Sequence, residues 1–320
     1  MHRNGKLKTR ITRVAIVLAA LSLSGCSFLT SMFKSVENEA VVIVEAPPTT
    51  VVVPEPTQLP PIAIVLTSGQ PAYADVAREL TRHFENYKIY DLSEGNRPPV
   101  AILRLINDSD TGAVVAIGLR AAQSSVAMSD SPVVFSQVFN YQDHNLVTEH
   151  SRGVATIAPL DAQIAAWMQA DPTITRIGAI IGPGHEDLIA EAGRAAERNG
   201  IELLIRVARS DQETLYNFRR MIRDIDGFLL FPDNRILSRR ALLQIMEDAK
   251  RQRVPVLVTN ESMLKIGASI SVSSVASNIA KTITDVIRQI QAGNIGRVPS
   301  ITPLSEIRVR TIDTVQVVDR

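Results

Sequence analysis

From residue 62 onward, short apolar runs of strand length alternate with polar turns and with apolar stripes at helical spacing. IAIVLT (62–67), KIYDL (88–92), AVVAIG (113–118), PVVFSQV (132–138) and GVATI (153–157) form a first set of runs. RIGAIIG (176–182), ELLIRVA (202–208), GFLLF (227–231), VPVLVTN (254–260) and ASISVS (268–273) form a second. Runs so short and so rich in β-branched residues predict buried strands. The segments between them, among them 76–84, 100–108, 187–199, 212–223 and 277–293, predict helices. Strand, helix, strand repeated in this way implies parallel sheets covered by helices on both faces.

The clearest unit is 227–260. GFLLF runs into PDNRIL, where Asp233, Asn234 and Arg235 stand in a row, and Ser238 is placed to cap RRALLQIMEDAKRQ. Leu242, Leu243, Ile245 and Met246 make the apolar stripe, and Lys250, Arg251 and Arg253 sit at the helix's negative end. In sheets of this kind ligands bind beyond the carboxyl ends of the strands. The unit is followed by a helix at 277–293 with a glycine stop and by IRVRTIDTVQVV, whose alternation suits an edge strand or hairpin. The predicted fold class is α/β, with two doubly wound lobes at 62–160 and 161–293 and a tail at 294–320. The crossings between lobes are predicted near 158–175 and 274–293.

The first 61 residues read differently. Residues 1–25 carry Arg3, Lys6, Lys8, Arg10 and Arg13 with no acid, then VAIVLAALSL, which is short for a membrane span. Leu23-Ser24-Gly25-Cys26 resembles the lipobox of bacterial lipoproteins, with the chain's one cysteine at the cut. That resemblance implies a signal peptide over 1–25 and a lipid, diacylglyceryl with palmitate-type chains, on Cys26. Ser27 in the next place implies sorting to the outer membrane. The alternative is a structural cysteine in an uncleaved anchor. Residues 26–61 place six prolines among Val and Thr runs, an extended tether of ~3 Å per residue where it is polyproline-like.

Charge changes the picture only once the leader is removed. The formal charge of +1 includes those five cations, which leaves −4 for the remainder. A mildly acidic chain with few aromatics argues against nucleic acid as a partner. A lone cysteine excludes an internal disulfide.

The stretches AVVAIG, SPVVF, RGVATI, ITRIGAIIGPGHED, DGFLLFPDNRILS, RQRVPVLVTNESMLKIGASISV and GNIGRVPSI, spread over about 112–295, carry a family resemblance. They are similar to the lipoprotein-type ABC transporter substrate-binding proteins of the type I periplasmic-binding fold. The resemblance implies a small-molecule ligand between the lobes and an ABC permease as partner; no cofactor and no enzymatic activity are expected, on the residue patterns that follow. The resemblance also implies a location on the periplasmic side of the envelope. Residues 62–110 depart from the family pattern, with SGQPAYAD as the first lobe's ligand loop. Some lipoproteins of this fold dock to cell-wall synthases instead, so an interaction module is the alternative.

The catalytic patterns in the sequence are incomplete. Gly182-Pro183-Gly184-His185-Glu186-Asp187 opens like a dinucleotide fingerprint, but Asp187 replaces the last glycine. Ile189 stands where HExxH needs histidine, and His144, Glu149 and His150 lack metal-ligand spacing. No GxSxG elbow occurs. Arg219, Arg220 and Arg223 read as a solvated helix face. The binding candidates are the polar residues at strand ends: Ser68, Gln70, Arg120, Asn140, Tyr141, His185, Asp233, Asn234, Asn260 and Glu261. With Arg120 for a carboxylate, and Asp233 or Glu261 on the other lobe for an amine, the set suits a small zwitterion such as an amino acid.

Overall fold

The computed structural model describes residues 60–95 and 97–312 in full and the backbone of 315–318. The leader, Cys26 and the tether as far as residue 59 lie outside the described residues. The first lobe contains β1 (Ile62–Leu66), α1 (Pro71–Leu80), β2 (Tyr87–Asp91), α2 (Pro99–Asn107), β3 (Ala113–Ile117), α3 (Leu119–Met128), β4 (Val133–Ser136) and β5 (Ser151–Val154). The second contains α4 (Leu160–Ala170), β6 (Arg176–Ile181), α5 (Glu186–Arg198), β7 (Glu202–Val207), α6 (Asp211–Met221), β8 (Gly227–Leu230), α7 (Arg239–Gln252), β9 (Val256–Val258) and β10 (Ile270–Ser274). Then follow α8 (Ala276–Gln291), β11 (Ile301–Thr302), β12 (Ile307–Thr311) and β13 (Val315–Val318).

The strand order is β11-β5-β4-β3-β1-β2 in one sheet and β13-β12-β10-β9-β8-β6-β7 in the other. Every pairing is parallel except β10 with β12 and β12 with β13. β1 and β3 are buried along their whole length, as central strands covered on both faces must be. In the first lobe α1 and α8 cover one face, while α2 and α3 cover the other. In the second, α4 and α5 lie on one face and α6 and α7 on the other. Each lobe is therefore a three-layer sandwich with its own core.

The 277–293 helix corrects the predicted lobe boundary. It packs on the first sheet, burying Ile279, Ile283, Val286, Ile287 and Ile290 against Ile62, Ile64 and Leu80. The tail divides as well, because β11 adds to β5 in the first sheet while β12 and β13 extend the second. The chain consequently crosses between the lobes three times, at 155–159, at 275 and at 303–306, where two crossings were expected. An amphipathic stripe specifies that a helix must be covered, not which sheet covers it. Asn278 ties two of the crossings together: its Oδ1 accepts the amides of Ser305 and Glu306, at 3.3 and 3.2 Å.

Candidate functional site between the lobes

Three strand ends converge where the lobes face each other. After β4, Gln137 adopts a left-handed φ of 60°, uncommon for a residue with a side chain, and the chain then delivers Phe139, Asn140 and the 3-10 turn Tyr141–His144. After β6, Gly182-Pro183-Gly184 leads to His185 at the N-cap of α5. After β8, Pro232 to Arg235 forms the third edge. Gly182 is demanded by this convergence, since a Cβ there would lie 2.5 Å from Asp233 Oδ2 and 2.6 Å from Arg235 Nη2.

Asp233 is the centre of the network and is 1% exposed. Its Oδ1 accepts from Asn140 Nδ2 at 3.1 Å, from the Arg235 amide at 3.1 Å and from Arg235 Nε at 2.9 Å. Its Oδ2 accepts from the Gly182 amide at 3.1 Å and from Arg235 Nη2 at 2.7 Å. Asn140, from the opposite lobe, also donates to Asn234 Oδ1 at 3.1 Å. Its own Oδ1 must then be the acceptor from His185 Nε2 at 2.8 Å, which places the imidazole hydrogen on Nε2. His185 lies 3.7 Å from Asp233 and packs on the Phe139 ring, with centroids 4.8 Å apart. Arg235 Nη1 reaches across to Asp143 Oδ2 at 2.7 Å and to the Pro183 carbonyl at 3.0 Å.

The electrostatics follow from this arrangement. Burial alone would raise the Asp233 carboxyl, but the Arg235 side chain and amide, with Asn140, hold it below the usual carboxylate range. Burial, reinforced by the Arg235 guanidinium, pushes His185 down, so the neutral ring is favoured. Burial raises the Tyr141 phenol, and the charge of Asp187 adds to the effect.

Beside this network lies a cavity of about 520 Å³. Phe139 and Tyr141 line it from the first lobe, Thr156 from the first crossing, His185 and Asp187 from the second lobe, and Leu304 from the third crossing. His185 belongs to both features, so the cavity and the polar network share a wall.

The candidates from sequence divide into two groups. Asn140, His185, Asp233 and Asn234 are brought together, and Tyr141 stands at the cavity beside them. The others are not. Arg120 is exposed in the first turn of α3, Ser68 is half-buried, and Gln70 bonds Tyr73 at the start of α1. Asn260 caps its own turn by accepting from the Ser262 amide at 2.9 Å, and Glu261 pairs with Arg310 on β12. The sequence reading gave Asp233 or Glu261 to a ligand amine; in the structure Asp233 is taken up by Arg235, Gly182 and Asn140, and Glu261 by Arg310. Asp143 and Arg235, the one ionic contact of this network that spans the lobes at hydrogen-bond distance, were missed. Arg235 could have been suspected from its place two residues after Asp233, but Asp143 is one polar residue among many in 140–150.

Comparison with known proteins places this geometry in context. A family model described as ABC transporter substrate binding protein matches residues 80–307. A search of curated proteins finds no match. Among solved structures, a conserved domain protein from Vibrio cholerae superposes with a TM-score of 0.55 at 18% identity, covering 78% of this chain and 91% of that one. An ABC domain in complex with L-Trp from Streptococcus pneumonia gives 0.54 at 17% identity, covering 77% and 90%. The ligand-free, open structure of a substrate binding protein with adhesive properties from Clostridium difficile gives 0.59 at 14% identity, covering 80% and 92%. At these identities the likeness establishes the fold, a pair of type I periplasmic-binding lobes.

Proposed function

Because the chain belongs to the ABC transporter substrate-binding proteins, we propose that it captures a small solute between its lobes and presents it to an ABC permease. One observation carries the reading: side chains of both lobes meet in a single site, with Asn140 on Asp233 and His185, beside a cavity lined from both sides. A solute touching both walls favours the closed form by its differential affinity for that form. A volume of about 520 Å³ lies within the roughly 300–1,000 Å³ typical of small-molecule sites.

The solute type that suits the lining is an amino acid. Phe139 and Tyr141 offer ring surface, Asp187 offers a carboxylate for an amine, and Arg194 stands at the rim. The neighbour bound to L-Trp is consistent with that class. The protein acts as a binding protein rather than an enzyme, anchored through a lipid on Cys26 on the periplasmic side of the envelope, at the outer membrane. Among the described residues no helix is long and apolar enough to cross a membrane. Changing Cys26 to Ala is expected to leave an unlipidated precursor; normal processing and sorting of that variant, followed by mass spectrometry, would remove the anchor from the reading.

A thermal-shift screen of the protein against amino acids, sugars and nucleosides tests the solute. An amino acid is expected to raise the melting temperature, and Tyr141→Ala and Asp187→Asn to reduce that shift. A second reading, an interaction module at the envelope, is favoured by the saturation of Asp233 by the protein's own donors. No shift from any solute class would make that reading the better one.

A further inference from the structure

We propose that the Nη1 edge of Arg235 is a carboxylate-binding site, filled in this structure by Asp143 of the opposite lobe as a stand-in for a solute carboxylate. The ligand class rests on the solute-binding reading; the latch formed by the two residues rests on the bonds alone.

The argument begins with how Arg235 is held. Asp233 takes Nε and Nη2 of the guanidinium, at 2.9 and 2.7 Å, and so uses one edge of the planar fork. That carboxylate is itself buried and fixed by the Gly182 amide. Both residues belong to one short segment of the second lobe, so the plane of the guanidinium is set whether the lobes are open or shut. The other edge, Nη1, is turned away from Asp233 and toward the first lobe. There it meets Asp143 Oδ2 at 2.7 Å, supported by the Pro183 carbonyl at 3.0 Å.

Asp143 is held in a different manner. It sits on the 3-10 turn between β4 and β5, its side chain is 35% exposed, and that of Arg235 is 26% exposed. Water can therefore reach the pair. When the lobes separate, Asp143 leaves with its own lobe while Arg235 stays aimed by Asp233. The separated form then presents an oriented guanidinium edge, which is matched by the planar carboxylate group. A ligand carboxylate that takes this edge returns Asp143 to solvent, where its charge is hydrated. Asn140 makes the parallel contact one turn earlier, bridging to Asp233 and Asn234, so the latch has a neutral half and an ionic half.

Small-angle X-ray scattering of the whole protein, in chloride buffer without added solute, reads the latch directly. Asp143→Ala and Asp143→Asn are expected to increase the radius of gyration relative to the parent, with an unchanged far-ultraviolet circular dichroism spectrum. Raising sodium chloride is expected to expand the parent and to leave the variants where they are, because an exposed ion pair is screened. Sodium acetate then probes the site: added to Asp143→Ala it is expected to raise the melting temperature beyond sodium chloride at equal ionic strength. Adding Arg235→Lys to that variant keeps a cation for Asp233 but removes the second edge, and is expected to abolish the acetate response. Unaltered dimensions in both Asp143 variants would overturn the latch. Acetate acting no better than chloride would overturn the carboxylate site. Neither result depends on finding an amino acid that binds, so the outcome is separable from the screen above.

Discussion

Asp233 shows how a single side chain couples local folding to the interlobe site. Its two oxygens accept five hydrogen bonds, three from Arg235, one from Gly182 and one from Asn140 across the cleft. Replacing it with Ala leaves a guanidinium and a buried amide without their acceptor, and is expected to cost about 3–5 kcal/mol, measured by urea unfolding. Its folded-state pKa lies below the ordinary value, so this stability is present above about pH 4 and is lost as the pH falls through the folded value. His185 works in the same direction at a higher pH. Its pKa is depressed, so the unfolded chain binds more protons on acidification. Its share of stability is complete above about pH 6.5 and erodes below that. Urea midpoints are expected to fall between pH 6.5 and 5 in the parent, and His185→Gln is expected to flatten that interval. An unchanged slope in the variant would assign the pH dependence elsewhere.

At the scale of elements, close approach rather than intrinsic propensity sets where helices sit. α4 lies over the start of β8, and a Cβ on Gly227 would come within 2.6 Å of the Trp167 ring. Gly227→Val is expected to destabilise by about 1–3 kcal/mol through overpacking, with a change in the near-ultraviolet signal of Trp167 that reports the displaced ring. The cap of α7 conforms to its sequence signal: Ser238 Oγ accepts the Ala241 amide at 3.2 Å and donates to Asp211 on α6 at 2.8 Å. α8 shows the limit of such signals. Its stripe of Ile279, Ile283, Val286, Ile287 and Ile290 was legible, but two sheets in the same chain could have covered it.

For the whole molecule, three crossings make the lobes interdependent. A fragment of 161–293 carries α8 without the sheet it covers and lacks β12, the partner of β10. A fragment of 60–160 lacks α8 and β11. Both are expected to show weak near-ultraviolet circular dichroism or to aggregate, while a chain beginning at residue 60 and running to 320 folds with a cooperative transition. A cooperative transition in the 161–293 fragment would show that α8 is dispensable.

The division between what was legible and what was not follows from the range of the forces involved. Strand runs, helix stripes, the Ser238 cap and the placing of polar residues beyond strand ends are local, and each could be read from a window of a dozen residues. So could the α/β class, because buried parallel strands announce themselves as continuous apolar runs. Which polar ends meet is a long-range matter. Asn140 and Asp233 are 93 residues apart, Asp143 and Arg235 are 92 apart, and the partner that claims Glu261 lies 49 residues downstream on β12. Pairings at that distance are set by sheet order and by the three crossings, which the alternation of polar and apolar residues leaves open. For that reason the sequence identified Asn140, His185 and Asp233 as candidates, while only the tertiary structure decided that they bond one another and that Arg235 faces Asp143.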